Sequence, residues 1–192
     1  MPLEQRSGDD QAALLARFAA GDRRAAEALT DLIAPRILRF AARMLGDLTE
    51  AEDVTQEAML RLWRMAPDWQ EGAAQPATWV YRVAANLCTD RLRRRRKTLH
   101  EMPELPDPSP SQHAQMMQAA RAQALESALA HLPERQRQAV ILRHLEGMSN
   151  PDIAAIMMLG VEAVESLTAR GKRNLSAILA GDREALGYDD DH

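Results

Sequence analysis

The stretch Thr78–Lys97, TWVYRVAANLCTDRLRRRRK, decides how this chain is read. At helical spacing Val80, Tyr81, Ala84, Leu87, Cys88 and Leu92 fall on one side. Trp79, Arg82, Val83, Asn86, Asp90, Arg93 and Lys97 fall on the other. The first side is built to bury. The second carries an aromatic, an amide and guanidinium groups, and runs into an arginine block. A helix of this make-up docks on a scaffold and offers its outer face to nucleic acid.

The net charge of −4 argues against a nucleic-acid binder only if charge is averaged over the chain. It is not evenly spread. Between Thr78 and Lys97 the bases are Arg82, Arg91, Arg93, Arg94, Arg95, Arg96 and Lys97, against Asp90 alone. A phosphate backbone meets that local field, not the total. The single Cys88 excludes an internal disulfide and a cysteine metal cluster, and the five histidines lie too far apart to pair as ligands. No metal or cofactor is expected. The N-terminus has no signal-peptide pattern and no apolar run approaches a membrane span, so a cytoplasmic protein without membrane insertion is expected.

Apolar residues recur at three and four rather than at two, which predicts an all-α chain. Residues 1–8 are expected to be disordered. Asp9 or Asp10 can cap a short helix ending at Gly21, and Asp22 opens a longer one to Leu45. Its apolar positions include Ala25, Leu29, Leu32, Ile33, Ile37, Phe40, Ala41 and Met44, and Pro35 predicts a kink or break. Thr49 and Glu52 form a capping box for the next helix, whose apolar side is Ala51, Val54, Ala58, Leu62 and Met65. Its other side carries Asp53, Gln56, Glu57, Leu60, Trp63 and Arg64. Apolar Leu60 and Trp63 rimmed by charge read either as a solvated face or as a protein-docking face. Pro67–Pro76 is a loop. Its Trp69 either packs on the core or helps hold a single-stranded base.

Pro103, Pro106, Pro108 and Pro110 lie among acids and serines, so residues 98–113 read as a flexible linker between two small helical domains, 1–97 and 114–180. Residues 181–192 read as an acidic tail. In the second domain helices are expected over 111–131 and 134–146. Ser149-Asn150-Pro151-Asp152 caps a short helix to Met158, Leu159-Gly160 breaks it, and Val161–Ile178 follows. Short helix, tight turn and longer helix have helix-turn-helix spacing.

Two motif blocks in this order resemble the extracytoplasmic-function group of bacterial RNA polymerase sigma factors. The first is AEDVTQEAMLRLWR (Ala51–Arg64) followed by TWVYRVAANLCTDRLRRRR; the second is LPERQRQAVILRHLEGMSNPDIAAIMMLGVEAVESLTARGKRNL (Leu132–Leu175). The resemblance implies a region 2 bundle and a region 4 helix-turn-helix. It implies docking on the core polymerase β′ coiled coil by Asp53, Gln56, Glu57, Leu60, Trp63 and Arg64, which turns the open question about that face towards an interface. The β subunit is an expected second contact. The resemblance further implies −10 promoter recognition and melting by Trp69, Trp79, Arg82, Asn86, Arg93, Arg94, Arg95 and Arg96. For the −35 element it points to Glu162, Glu165, Ser166, Arg170, Lys172 and Arg173. The glutamates depart from the basic residue often found near this helix start; a carboxylate can accept from cytosine N4 instead. An anti-sigma partner is also implied.

The expected function is therefore promoter-specific initiation, with no catalytic residue of its own. The alternative is a stand-alone helix-turn-helix regulator, which leaves the first domain unexplained. No Gly-rich phosphate loop or nucleophile–base pair favours an enzyme.

Overall fold

The computed structural model describes the backbone of residues 3–69, 75–99 and 115–185, and side chains over 10–69, 75–97 and 123–181. All regular structure among these residues is helical, in the order α1 (Leu3–Ala19), α2 (Arg23–Leu45), α3 (Leu48–Met65), a 3₁₀ turn (Ala66–Asp68), α4 (Pro76–Leu99), α5 (Gln115–Ala130), α6 (Glu134–Val140) continuing into a π turn (Ile141–Leu145), α7 (Asn150–Met157) and α8 (Val161–Ala185).

Helices α1 to α4 form the first bundle. α2 is its centre, packed against α1, α3 and α4. Its buried stripe, Ala25, Leu29, Ile33, Ile37, Phe40, Ala41 and Met44, keeps the 3.6-residue period. Asp22 caps it, accepting from Arg24 N–H at 3.0 Å. Arg17, 2.7 Å away, holds the Asp22 carboxyl below the usual carboxylate range. Pro35 does not break this helix; α2 runs unbroken through it. A proline inside a helix costs about 3 kcal/mol, and each large apolar side chain buried around it returns about 1.5–3 kcal/mol. Leu32, expected in the core, is instead 40% exposed, and so is Met65 at 39%.

Other boundaries also differ. The first helix starts at Leu3, where good helix formers at Leu3–Arg6 carry it past the expected start. α3 is capped not by Thr49 but by Asp47, whose carboxylate accepts from Glu50 N–H at 2.9 Å. Asp47 and Glu50 repeat the capping-box spacing two residues earlier. α4 runs to Leu99, into the expected linker, of which residues 100–113 lie outside the described residues. α8 runs to Ala185, into the expected tail, of which residues 186–192 likewise lie outside. In each case the local sequence still favours helix, and composition alone marks no stop.

In the second half α6, α7 and α8 make the helix-turn-helix, with α5 packed along α8. Ser149 caps α7, and α7 ends at Met158, which has φ +53° and is 74% exposed. α8 crosses α6 at Gly171. A Cβ there would lie 2.6 Å from Val140 Cγ2 and 3.1 Å from the Gln136 carbonyl oxygen. Only glycine allows this approach, which sets the angle of α8.

The two halves touch. α7 packs against α4, and α5 against α2, so that buried residues of both halves belong to one apolar cluster. Polar ties frame it. Arg137, itself buried, donates to the Met44 carbonyl at the end of α2 (2.8 Å) and to the Ala130 carbonyl. Burial lowers its pKa from the usual arginine value, opposed by Glu134. Glu146 accepts from Arg43 (3.2 Å) and from the Tyr81 hydroxyl (2.7 Å).

Gly171→Ala is expected to lower unfolding free energy by about 1–3 kcal/mol through overpacking, and Met158→Gly to raise it by about 0.5–1 kcal/mol by relieving the left-handed residue. Urea unfolding of the two variants checks both signs.

Candidate polymerase and nucleic-acid interfaces

α3 positions the first candidate surface. Ala51, Val54, Ala58 and Leu62 point into the bundle at 0% exposure, which forces the residues between them outward. Asp53, Gln56, Leu60 and Arg64 are exposed, while Glu57 and Trp63 are half-buried. Glu57 pairs with Arg61 one turn on (2.8 Å), Asp53 lies 3.8 Å from Arg91, and Trp63 stacks edge-on against Phe18 at 4.8 Å. Gln56, Leu60 and Trp63 line an open apolar groove together with Glu52, Thr55 and Met59 of α3 and Thr30, Ala34 and Leu38 of α2. The α2 side of this groove was not read from the sequence. Its signal was there: Thr30, Ala34 and Leu38 recur every four residues beside the buried stripe.

α4 carries the second surface. Val80, Tyr81, Ala84, Ala85 and Cys88 are buried against the bundle. Cys88 is sealed there, and burial pushes its thiol up to about 12. Trp69 packs edge-on against Trp79 with ring centroids 6.2 Å apart, so the loop tryptophan and the helix tryptophan form one aromatic corner at the start of α4. Arg82 is half-buried and Asn86 exposed on the same helix.

The four arginines that end α4 do not share one environment. Arg93 is 66% exposed and pairs with Asp90 of its own helix (2.8 Å), and Arg94 is also exposed. Arg95 turns back to the bundle. It donates to the Leu45 carbonyl (2.8 Å) and pairs with Glu50 (2.9 Å) and Asp47 (3.5 Å), which ties the α2–α3 corner to α4. Arg96 reaches across to Glu134 of the second half at 3.1 Å. A consecutive run on a helix turns by about 100° per residue, so neighbours must diverge.

α8 carries the third surface. Glu162, Glu165, Ser166, Arg170 and Arg173 form an exposed stripe. Asn150 donates to Glu165 (3.2 Å), and Arg170 donates to the Ser166 hydroxyl (2.7 Å). Lys172 departs from this stripe. It is exposed, but it lines a second groove with Leu125, Leu129, Val140, His144, Leu145, Leu175 and Leu179, where α5, the π turn and α8 meet. Desolvation, and then Lys172 and Arg143, hold the His144 pKa below its usual value. Among the described residues no His, Cys, Asp and Glu cluster could hold a metal ion, and no helix is long and apolar enough to cross a membrane.

Two family descriptions match the chain: Sigma-70 region 2 over residues 29–98 and Sigma-70 region 4 over residues 122–175. They cover α2 to α4 and the helix-turn-helix respectively. The chain is 33% identical over 168 residues to the ECF RNA polymerase sigma factor SigM of Mycobacterium tuberculosis strain H37Rv, covering 88% of this chain and 84% of that one. It is 34% identical to the ECF sigma factor SigE of Mycolicibacterium smegmatis, covering 84% of this chain and 65% of that longer one. The RNA polymerase sigma factor CnrH of Cupriavidus metallidurans is 32% identical, covering 89% and 95%. The solved structure of CnrH in complex with the cytosolic domain of CnrY superimposes with a TM-score of 0.69 at 28% identity, over 90% of this chain and 99% of that one. The fold is shared as well with RpoE in complex with the anti-sigma factor NepR from Bartonella quintana, at a TM-score of 0.66 and 24% identity. With both regions matched in chain order and relatives aligned along most of their length, this chain belongs to the extracytoplasmic-function group of RNA polymerase sigma factors.

Proposed function

We propose that this chain binds core RNA polymerase and directs it to a promoter, opening the −10 element with its first half and reading the −35 element with its second. It acts in the cytoplasm, performs no covalent chemistry, and is restrained by an anti-sigma protein, as the solved relatives were captured with CnrY and NepR. The observation that carries the proposal is the aromatic corner of Trp69 and Trp79 at the start of α4, with exposed Asn86, Arg93 and Arg94 further along the same helix. An unstacked base needs an aromatic platform, and the strand it leaves needs a cationic track. No nucleophile or metal is required for that work.

The α2–α3 groove is the proposed polymerase site. Leu60 and Trp63 supply its apolar floor and wall, and Gln56 a polar amide beside them. Exposed Asp53 and Arg64 supply the charged rim that orients a partner helix without setting most of the affinity. On α8, Arg170 and Arg173 are proposed to hold phosphate, and Glu162 to accept from a cytosine amino group in the major groove. Lys172 is better placed beside His144 at the second groove, which is the surface we assign to a further polymerase contact, on the β subunit.

Run-off transcription with purified core enzyme tests the reading. Duplex binding by the protein alone, with no start-specific transcript, would leave only a stand-alone helix-turn-helix regulator. Asp53→Ala combined with Gln56→Ala is expected to weaken core binding by roughly tenfold, a loss of about 1.4 kcal/mol, measured by fluorescence titration of polymerase. Unchanged affinity would place docking elsewhere. Arg93→Ala with Arg94→Ala is expected to reduce open-complex formation, read by permanganate footprinting, while thermal stability stays within about 0.5 kcal/mol. Arg95→Ala is expected to do the opposite, costing about 1 kcal/mol of stability after solvent screening is allowed for.

A further inference from the structure

Glu146 follows the π turn, and its side chain is 2% exposed, yet its carboxylate partners come from the other half of the chain. Oε1 accepts from Arg43 at 3.2 Å, and Oε2 accepts from the Tyr81 hydroxyl at 2.7 Å. Arg36 stands 3.9 Å from Oε2 and also donates to the Glu146 backbone carbonyl at 3.4 Å. The Tyr81 ring beneath is packed edge-on against Phe40 and lies 5.8 Å from the Arg36 guanidinium. Burial, and then Glu146 itself, push the Tyr81 phenol well above its usual range, so it stays a neutral donor. Nearby, Arg137 of the second half caps the end of α2 at Met44, and Glu134 holds Arg96. A buried carboxylate gripped by three groups of the opposite half is a built contact, not an incidental one.

The arrangement conflicts with promoter engagement. α4 packs on α7, and α7 on α8. Packed helices lie about 8–10 Å apart axis to axis, so the α4 and α8 axes are within about 20 Å of each other. Elements centred near −10 and −35 are separated by about 25 base pairs, on the order of 80 Å along duplex DNA at 3.4 Å per pair. The closed chain cannot reach both. It also commits Arg96 to Glu134.

We propose that Glu146 is an autoinhibitory latch: seated between Arg36, Arg43 and Tyr81, it keeps the free protein closed with its two DNA-reading helices together, and polymerase binding must withdraw it. The latch is an intramolecular device, distinct from restraint by a second protein. Its consequence for transcription rests on the proposed function; its geometry does not. The solved CnrH complex superimposes over 90% of this chain at a TM-score of 0.69, a stretch that takes in residues of both halves.

The test uses the full-length protein labelled at Ala28→Cys and Ala177→Cys, both exposed, with buried Cys88 left in place. Paired spin labels report the distance between halves. The parent should give one short-distance population. Glu146→Gln, and separately Arg36→Met with Arg43→Met, should each add a longer-distance population with helical circular dichroism unchanged. Glu146→Gln should also bind core polymerase roughly three- to tenfold tighter, because the competent open state is no longer rare. A parent that is already open, or variants that keep the parent distance with native dichroism, would overturn the latch. So would loss of helix in both variants, which would make Glu146 a folding residue. A chain that opens as expected but supports no run-off transcript would instead fail the functional proposal alone.

Discussion

A carboxylate shielded from solvent must find positive charge or a donor, and Glu146 finds both on the opposite half of the chain. Leaving a buried charge of this kind with one partner removed costs about 3–5 kcal/mol in well-shielded sites. Here Arg43 and Arg36 are partly open to solvent, so the effective cost is lower. It is still large against a net stability of about 5–15 kcal/mol for a typical domain. The seating of this one side chain therefore bears on how α2, α4, the π turn and α7 come together. Around it the apolar residues of both halves close into one cluster. The arrangement joins two parts that each have their own helices, caps and buried stripes.

The basic run of α4 shows how one charge pattern divides into separate jobs. Arg93 and Arg94 stay exposed, Arg95 is used to tie the α2–α3 corner, and Arg96 is taken by Glu134. A block of arginines is a single feature in a sequence and four directions on a helix. The same holds for α8, where Arg170 and Arg173 share the outward stripe with Glu162 while Lys172 sits at the edge of a groove beside His144. The candidate surfaces rest on the aromatic packing beside them. Phe40 supports Tyr81, Phe18 supports Trp63, and Trp79 supports Trp69.

Much of the fold was legible because it follows from local rules. The buried stripes of α2 and α3, the Asp22 and Ser149 caps and the helix-turn-helix spacing all arise from period and capping chemistry within a few residues. The misses have separate physical causes. Pro35 reads as a kink or a break, and α2 runs unbroken through it with Ile33 and Ile37 buried on either side. Leu32 fits the apolar period and yet is 40% exposed, because among the described residues no helix covers that side. Thr49 and Glu52 have capping-box spacing, yet Asp47 two residues earlier takes the cap. For the candidate surfaces, the outward set on α3 was readable from the inward one. The α2 side of the groove was not, since Thr30 and Ala34 become a wall only when α3 lies beside them.

The sequence by itself determined the helices, their inward faces, the basic stretch Thr78–Lys97 and two motif blocks specific enough to point to a family. Those are properties of residues close together along the chain. The tertiary structure alone decided which arginines face solvent, that Gly171 carries the crossing of α8 on α6, and that Glu146 sits between Arg36, Arg43 and Tyr81. Glu146 is 110 residues from Arg36 and 65 from Tyr81, and it follows a π turn that no period in the sequence announces. Contacts at that separation depend on how whole helices pack, so no local pattern could contain them.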